Sequence, residues 1–224
     1  AVGSNAMTGA GTADTDNTAI GYNALATNSG GNFNTAVGST ALDTNNSGDN
    51  NTAVGYAALT ANTTSGDSTA VGYNALALNT APGSTAVGSE ALDANTSGVG
   101  NTAVGYTTLS AISTSGGCTA IGYAALDAAT TANNTAVGYN ALGTTTGADS
   151  TAVGYQALLL NTAAGSTAVG SGALAANTSG AGNTAVGYQA LTTNSTGASN
   201  TAMGYNALFA TTGANNTGVG YSAL

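Results

Sequence analysis

"NTAVGYNAL" at residues 134–142 is repeated almost unchanged as "NTAIGYNAL" at 17–25, "NTAVGYAAL" at 51–59 and "NTAVGYQAL" at 183–191. Taking the Thr of each copy as the marker gives Thr18, Thr35, Thr52, Thr69, Thr85, Thr102, Thr119, Thr135, Thr151, Thr167, Thr184, Thr201 and Thr217, spaced 16 or 17 residues apart. A fourteenth copy without its Thr, "AVGSNAM", opens the chain. A fixed period of this kind is the mark of a repeat architecture, in which a unit too short to bury a core alone does so by stacking on its neighbours.

Each copy has three parts. Thr-Ala-Val-Gly-Tyr alternates large and small side chains with the period of 2 that a strand requires. It is followed by x-Ala-Leu, and then by a polar tract of Asn, Thr, Ser, Gly and Ala with the composition of turns. Length changes fall in the polar tract, while the Thr-to-Leu block keeps its span. The 34 glycines and the lack of a 3.6-residue stripe argue against helix. The fold class expected is therefore all-β: a parallel β-solenoid of about fourteen coils of 16 or 17 residues, each residue stacked on its equivalent about 4.8 Å away. Thirteen such steps predict a rod roughly 60 Å long. Residues 1–224 read as a single repeat domain. Because the chain starts and stops inside a motif, it is expected to be a segment of a longer fibre, continued by flanking repeats or by end-to-end stacking.

Neither face of Thr-Ala-Val-Gly-Tyr carries charge, so both favour burial, one inside the coil and one against a neighbouring chain. The larger Val column is assigned to the interior, with Val37 over Val54 and Tyr56 over Tyr73. On that assignment Val104→Asp buries an unpaired carboxylate at a cost of several kcal/mol, whereas Asn95→Ala, in a turn, costs far less.

Composition narrows the function. The chain has no Lys, Arg, His or Trp, and its nine acids leave a net charge of −9. Nucleic acid and anionic lipid are excluded as expected partners, since both are bound through cationic side chains. The usual general bases and Schiff-base amines are also missing, so no enzyme, catalytic residue or cofactor is expected. No apolar run reaches the length of a membrane span, and no membrane insertion is expected within this segment. The acids, placed in outward turns, are expected to resist lateral clumping until salt screens them.

The unit Thr-Ala-Val-Gly-Tyr-Asn-Ala-Leu, followed by Ser/Thr-Gly and Asn, resembles the repeat of trimeric autotransporter adhesin heads, the YadA-like left-handed parallel β-roll. It is also similar to the tandem repeats of bacterial and phage tail-fibre-like proteins. The period here is 16 or 17 rather than the adhesin heads' 14. The resemblance implies a homotrimer displayed outside the cell or on a virion: a structural, adhesive fibre segment, extracellular, at a cell or virion surface, with a host-surface glycan or protein as receptor.

The candidate functional residues are the ten tyrosines, which share one register: Tyr22, Tyr56, Tyr73, Tyr106, Tyr123, Tyr139, Tyr155, Tyr188, Tyr205 and Tyr221. Ser4, Ser39, Ser89 and Ser171 interrupt them. The column reads first as a structural ladder and second as an aromatic strip for sugar. The Thr column raises an ice-binding alternative, weakened because it is single and shares its face with Val and Tyr. Asp and Glu are sparse and out of register, so no calcium or other metal site is expected. Eight Asn-x-Ser/Thr acceptors for N-glycosylation, at Asn45, Asn50, Asn62, Asn95, Asn133, Asn177, Asn194 and Asn215, are what so Asn- and Thr-rich a chain produces by chance. Cys118 reads as a small side chain at a turn.

Overall fold

The computed structural model describes residues 1–9, 11, 15–144 and 146–224. They form two compact units, Ala1–Gly117 and Cys118–Leu224, and each is a parallel β-solenoid. The first holds β1 (Thr18–Ile20), β2 (Thr35–Val37), β3 (Thr52–Val54), β4 (Thr69–Val71), β5 (Thr85–Val87) and β6 (Thr102–Val104). The second holds β7 (Thr119–Ile121), β8 (Thr135–Val137), β9 (Thr151–Val153), β10 (Thr167–Val169), β11 (Thr184–Val186), β12 (Thr201–Met203) and β13 (Thr217–Val219). Within each unit every strand pairs in parallel with the next, Thr on Thr and Ala on Ala, except that Ala202 meets Gly218. The opening copy contributes only a bridge from Val2 to Ile20, so the fourteen copies give thirteen named strands.

The strands are shorter than the alternating pentad suggests, because the Gly after each Val leaves the β region. Gly55 has φ +140° and Gly38 has φ +139°, a conformation open essentially to glycine alone. Three further residues per coil are left-handed, as Ala57 (φ 53°), Leu59 (φ 52°) and Asp67 (φ 62°) are. A left-handed Leu costs roughly 1–2 kcal/mol. Leu59 is fully buried, and that burial returns roughly 1.5–3 kcal/mol, so the turn is sustained by its own side chain. Coil-to-coil bonding continues around the bend: Gly55 N–H donates to Val37 O at 2.8 Å, Ala57 N–H to Ser39 O at 3.0 Å and Leu59 N–H to Ala75 O at 3.0 Å.

The inside of the coil is the reverse of the sequence expectation. The strand Ala column, from Ala19 to Ala103 in the first unit and Ala120 to Ala202 in the second, is completely buried, with the Ala and Leu of x-Ala-Leu. Thr and Val lie at the surface, and Val104 is 36% exposed. The interior holds the Leu of each inner coil and is otherwise filled mainly by Ala, Asn and Ser, with Thr108, Ile112 and Cys118 also buried.

Those asparagines are the second correction. Asn95 is not a solvated turn residue but fully buried, as are its counterparts three residues after Leu, such as Asn28, Asn45 and Asn62. Asn95 Nδ2 donates to Asn79 Oδ1 at 2.7 Å and to Gly98 O at 3.0 Å, while its Oδ1 accepts from Gly98 N–H at 3.1 Å. Asn45 and Asn62 link the same way, Asn62 Nδ2 donating to Asn45 Oδ1 at 3.0 Å. A second column lies just before the strand Thr. There Asn51 N–H donates to Asn34 Oδ1 at 2.9 Å, and Asn51 Nδ2 donates to Ser65 O at 2.9 Å. The Asn amide acts as an extra peptide group, satisfying turn backbone that no strand reaches.

Candidate functional surface

With Ala turned inward, each strand presents its Thr and its Val, Ile or Met outward. Ile20, Val87, Val104, Ile121, Val169, Met203 and Val219 are exposed, and the other members of the column are half-buried. The sequence reading placed Thr, Val and Tyr on one face. The Gly bend separates them, so the tyrosines follow the strand face across a corner rather than continuing it.

All ten tyrosines are exposed, from Tyr205 at 44% to Tyr221 at 79%. Where neighbouring coils of one unit both carry Tyr, the rings stack along the coil axis. Tyr56 and Tyr73 have centroids 5.4 Å apart and planes 12° apart. Tyr123, Tyr139 and Tyr155 form a run at 5.2 and 5.3 Å, and Tyr188, Tyr205 and Tyr221 another at 5.1 and 5.0 Å. Rings stacked at this distance cover one another's faces and show solvent their edges and hydroxyls. Within the units the column is broken by Ser39 and Ser89 in the first and Ser171 in the second, and no ring stands beside the flanking tyrosines at those coils.

The described acids lie outside the core. Asp16, Asp67 and Asp149 share one left-handed position (φ 58°, 62° and 57°) before the second Asn/Ser column, a partial register the sequence reading missed. Asn50 Nδ2 and Asn133 Nδ2 donate to Asp67 and Asp149 Oδ1, each at 3.1 Å. Burial raises the Asp43 carboxyl above its ordinary range, so ionising it opposes folding, and its contribution to stability grows as pH falls through the folded-state value. Asp14 lies outside the described residues. Among the described residues no group of three or more Asp, Glu, Cys or His could hold a metal ion, and no helix is long and apolar enough to cross a membrane.

The structure divides the glycosylation acceptors. Asn45, Asn62, Asn95, Asn177 and Asn194 are fully buried, whereas Asn50, Asn133 and Asn215 are exposed in a single column. Cys118 is buried in the column otherwise filled by Asn and Ser, its Sγ 3.4 Å from Thr131 O. Burial pushes its thiol upward, partly offset by bonds from the Asn134 and Asn133 backbone. A buried, protonated thiol is inert. A thiol-disulfide dye should therefore leave the native chain unlabelled and label it once per chain in denaturant; fast labelling of the native chain would contradict this placement.

No family model, curated protein or solved structure matches the chain.

Proposed function

We propose that the chain is a structural and adhesive segment of an extracellular fibre, in which copies associate through the Thr and Val columns and the Tyr column forms part of the outer binding surface. The observation that carries this reading is the uncharged strand face, regular from coil to coil and apolar along one whole column. Contiguous exposed apolar surface on this scale marks an interaction site, and a repetitive face is best matched by another copy of itself. Three copies is the number implied by the resemblance to trimeric adhesin heads. An end-to-end filament is compatible with it, since docking faces and coil ends are different surfaces. The outer surface would carry the cell- or virion-surface function, with a host glycan or protein as receptor.

Ice binding is the second reading. The Thr column stays single, as read from sequence, but a column of Val, Ile and Met lies outward beside it on each strand. Thermal hysteresis in a dilute solution tests it directly.

Negative-stain electron microscopy tests the fibre: rods or filaments are expected, and compact particles would oppose it. A Val54→Lys, Val87→Lys double variant separates docking from folding. Both side chains lie on the outward face, two coils apart, and a Lys stem can lie along the surface with its ammonium in water. The variant should keep its β-sheet circular dichroism and sediment as single chains. Unchanged assembly would place the docking face elsewhere.

A further inference from the structure

The tyrosine ladder is interrupted by serines inside the units. Around Ser171, Tyr155 is stacked from the far side by Tyr139, and Tyr188 from the far side by Tyr205, so each has its remaining face turned toward the intervening coil. That coil carries Gly170-Ser171-Gly172, placing a small hydroxyl where a ring would stand and no side chain at the next position. Ser39 likewise interrupts the column between Tyr22 and Tyr56, with Thr40 rather than Gly at the next position and Tyr56 stacked from the far side by Tyr73. From the 5.0–5.4 Å ladder step, the two rings flanking a Ser stand two steps, about 10 Å, apart.

We propose that the notches at Ser39 and Ser171 each take one neutral pyranose unit of a glycan, held between two tyrosine faces with the Ser hydroxyl beneath it. The spacing selects the ligand class. A flat aromatic ring making contact on both sides at about 3.5 Å spans only about 7 Å, which leaves a gap. A puckered pyranose, with axial C–H groups above and below its mean plane, fills the larger opening and directs those C–H groups at the electron-rich ring faces. Charge selects further. The chain has no cation and a net charge of −9, so sialic and uronic acids are disfavoured and uncharged hexoses favoured. Single notches of this size bind weakly, and affinity comes from several notches on one fibre meeting a repeating polymer.

This proposal rests on the adhesive reading above, and its test is built to fail separately from it. The full chain lacks Trp, so its tyrosine emission is unmasked and reports on the rings. Soluble neutral polymers of glucose, galactose and mannose are titrated against the wild type, with a sialylated polymer and indole as controls, and the mass of the assembly is followed in parallel by light scattering. At least one neutral polymer should bind and perturb the emission. The Ser39→Tyr, Ser89→Tyr, Ser171→Tyr variant fills the three breaks that lie between tyrosines with the residue found in the same position of the other coils. It should fold and assemble like the wild type yet bind the polymer at least tenfold more weakly. Absence of binding to every neutral polymer, equal binding by the filled variant, or preference for indole would overturn the proposal. Loss of assembly with sugar binding retained would instead remove the fibre reading and leave the notches standing.

Discussion

A Gly55→Ala chain is expected to lose about 4 kcal/mol or more, and to lose cooperative unfolding. The added Cβ would lie 2.3 Å from Gly72 O and 2.7 Å from Gly72 C, both backbone atoms of the next coil that no rotamer change can move aside. The φ of +140° adds a conformational cost of order 1–3 kcal/mol. Relief requires the coils to separate, which also strains the 2.8 Å bond from Gly72 N–H to Val54 O. Gly83→Ala is the control. Its φ is +73° and nothing lies within 4 Å of its added Cβ, so only the left-handed penalty of roughly 1–2 kcal/mol applies. Urea unfolding followed by circular dichroism measures both variants, and equal losses would mean that the coils do not approach at Gly.

The second large effect is the reversed order of Asn95→Ala and Val104→Asp. Removing the Asn95 amide deprives Gly98 N–H of its acceptor and Asn79 Oδ1 of its 2.7 Å donor, inside a site closed to water. Each buried group left unsatisfied costs about 1–3 kcal/mol, and the vacated volume adds to it. A loss of about 3 kcal/mol or more is expected. Val104→Asp places a carboxylate on a surface that is already partly wet, at about 1 kcal/mol or less within the single chain, although it opposes docking of copies. Unfolding at dilutions where chains are separate should therefore show Asn95→Ala melting well below Val104→Asp. The opposite order would restore Val to the interior.

The period, the parallel in-register stacking and the placement of insertions in turns were legible because each copy repeats the same constraint. Inside and outside were not, because hydrophobicity alone ranks Val above Ala. A second signal was present in the copies themselves. The strand Ala is Ala in every coil from Ala19 to Ala202, while the Val position accepts Ile20, Ile121 and Met203, and the Tyr position accepts Ser39 and Ser171. Invariance here belongs to the strand Ala of the interior, and the outward Val and Tyr positions vary. The same comparison marks Asn28, Asn45, Asn62, Asn79 and Asn95, repeated three residues after Leu, as buried rungs rather than generic turn residues, although Ile112 and Ala129 take the same buried position in other coils. What one sequence could not give was the Gly bend, a matter of φ, and with it the corner that separates the tyrosines from the strand face.

The docking of copies through the outward Thr and Val columns is the claim on which the functional account turns, and the mass of the unmodified chain in solution tests it most directly. For a chain of 21.0 kDa, light scattering coupled to size exclusion should give about three times that mass or a larger multiple of the trimer, stable on dilution through the micromolar range. A mass of one chain at every concentration and salt would contradict it.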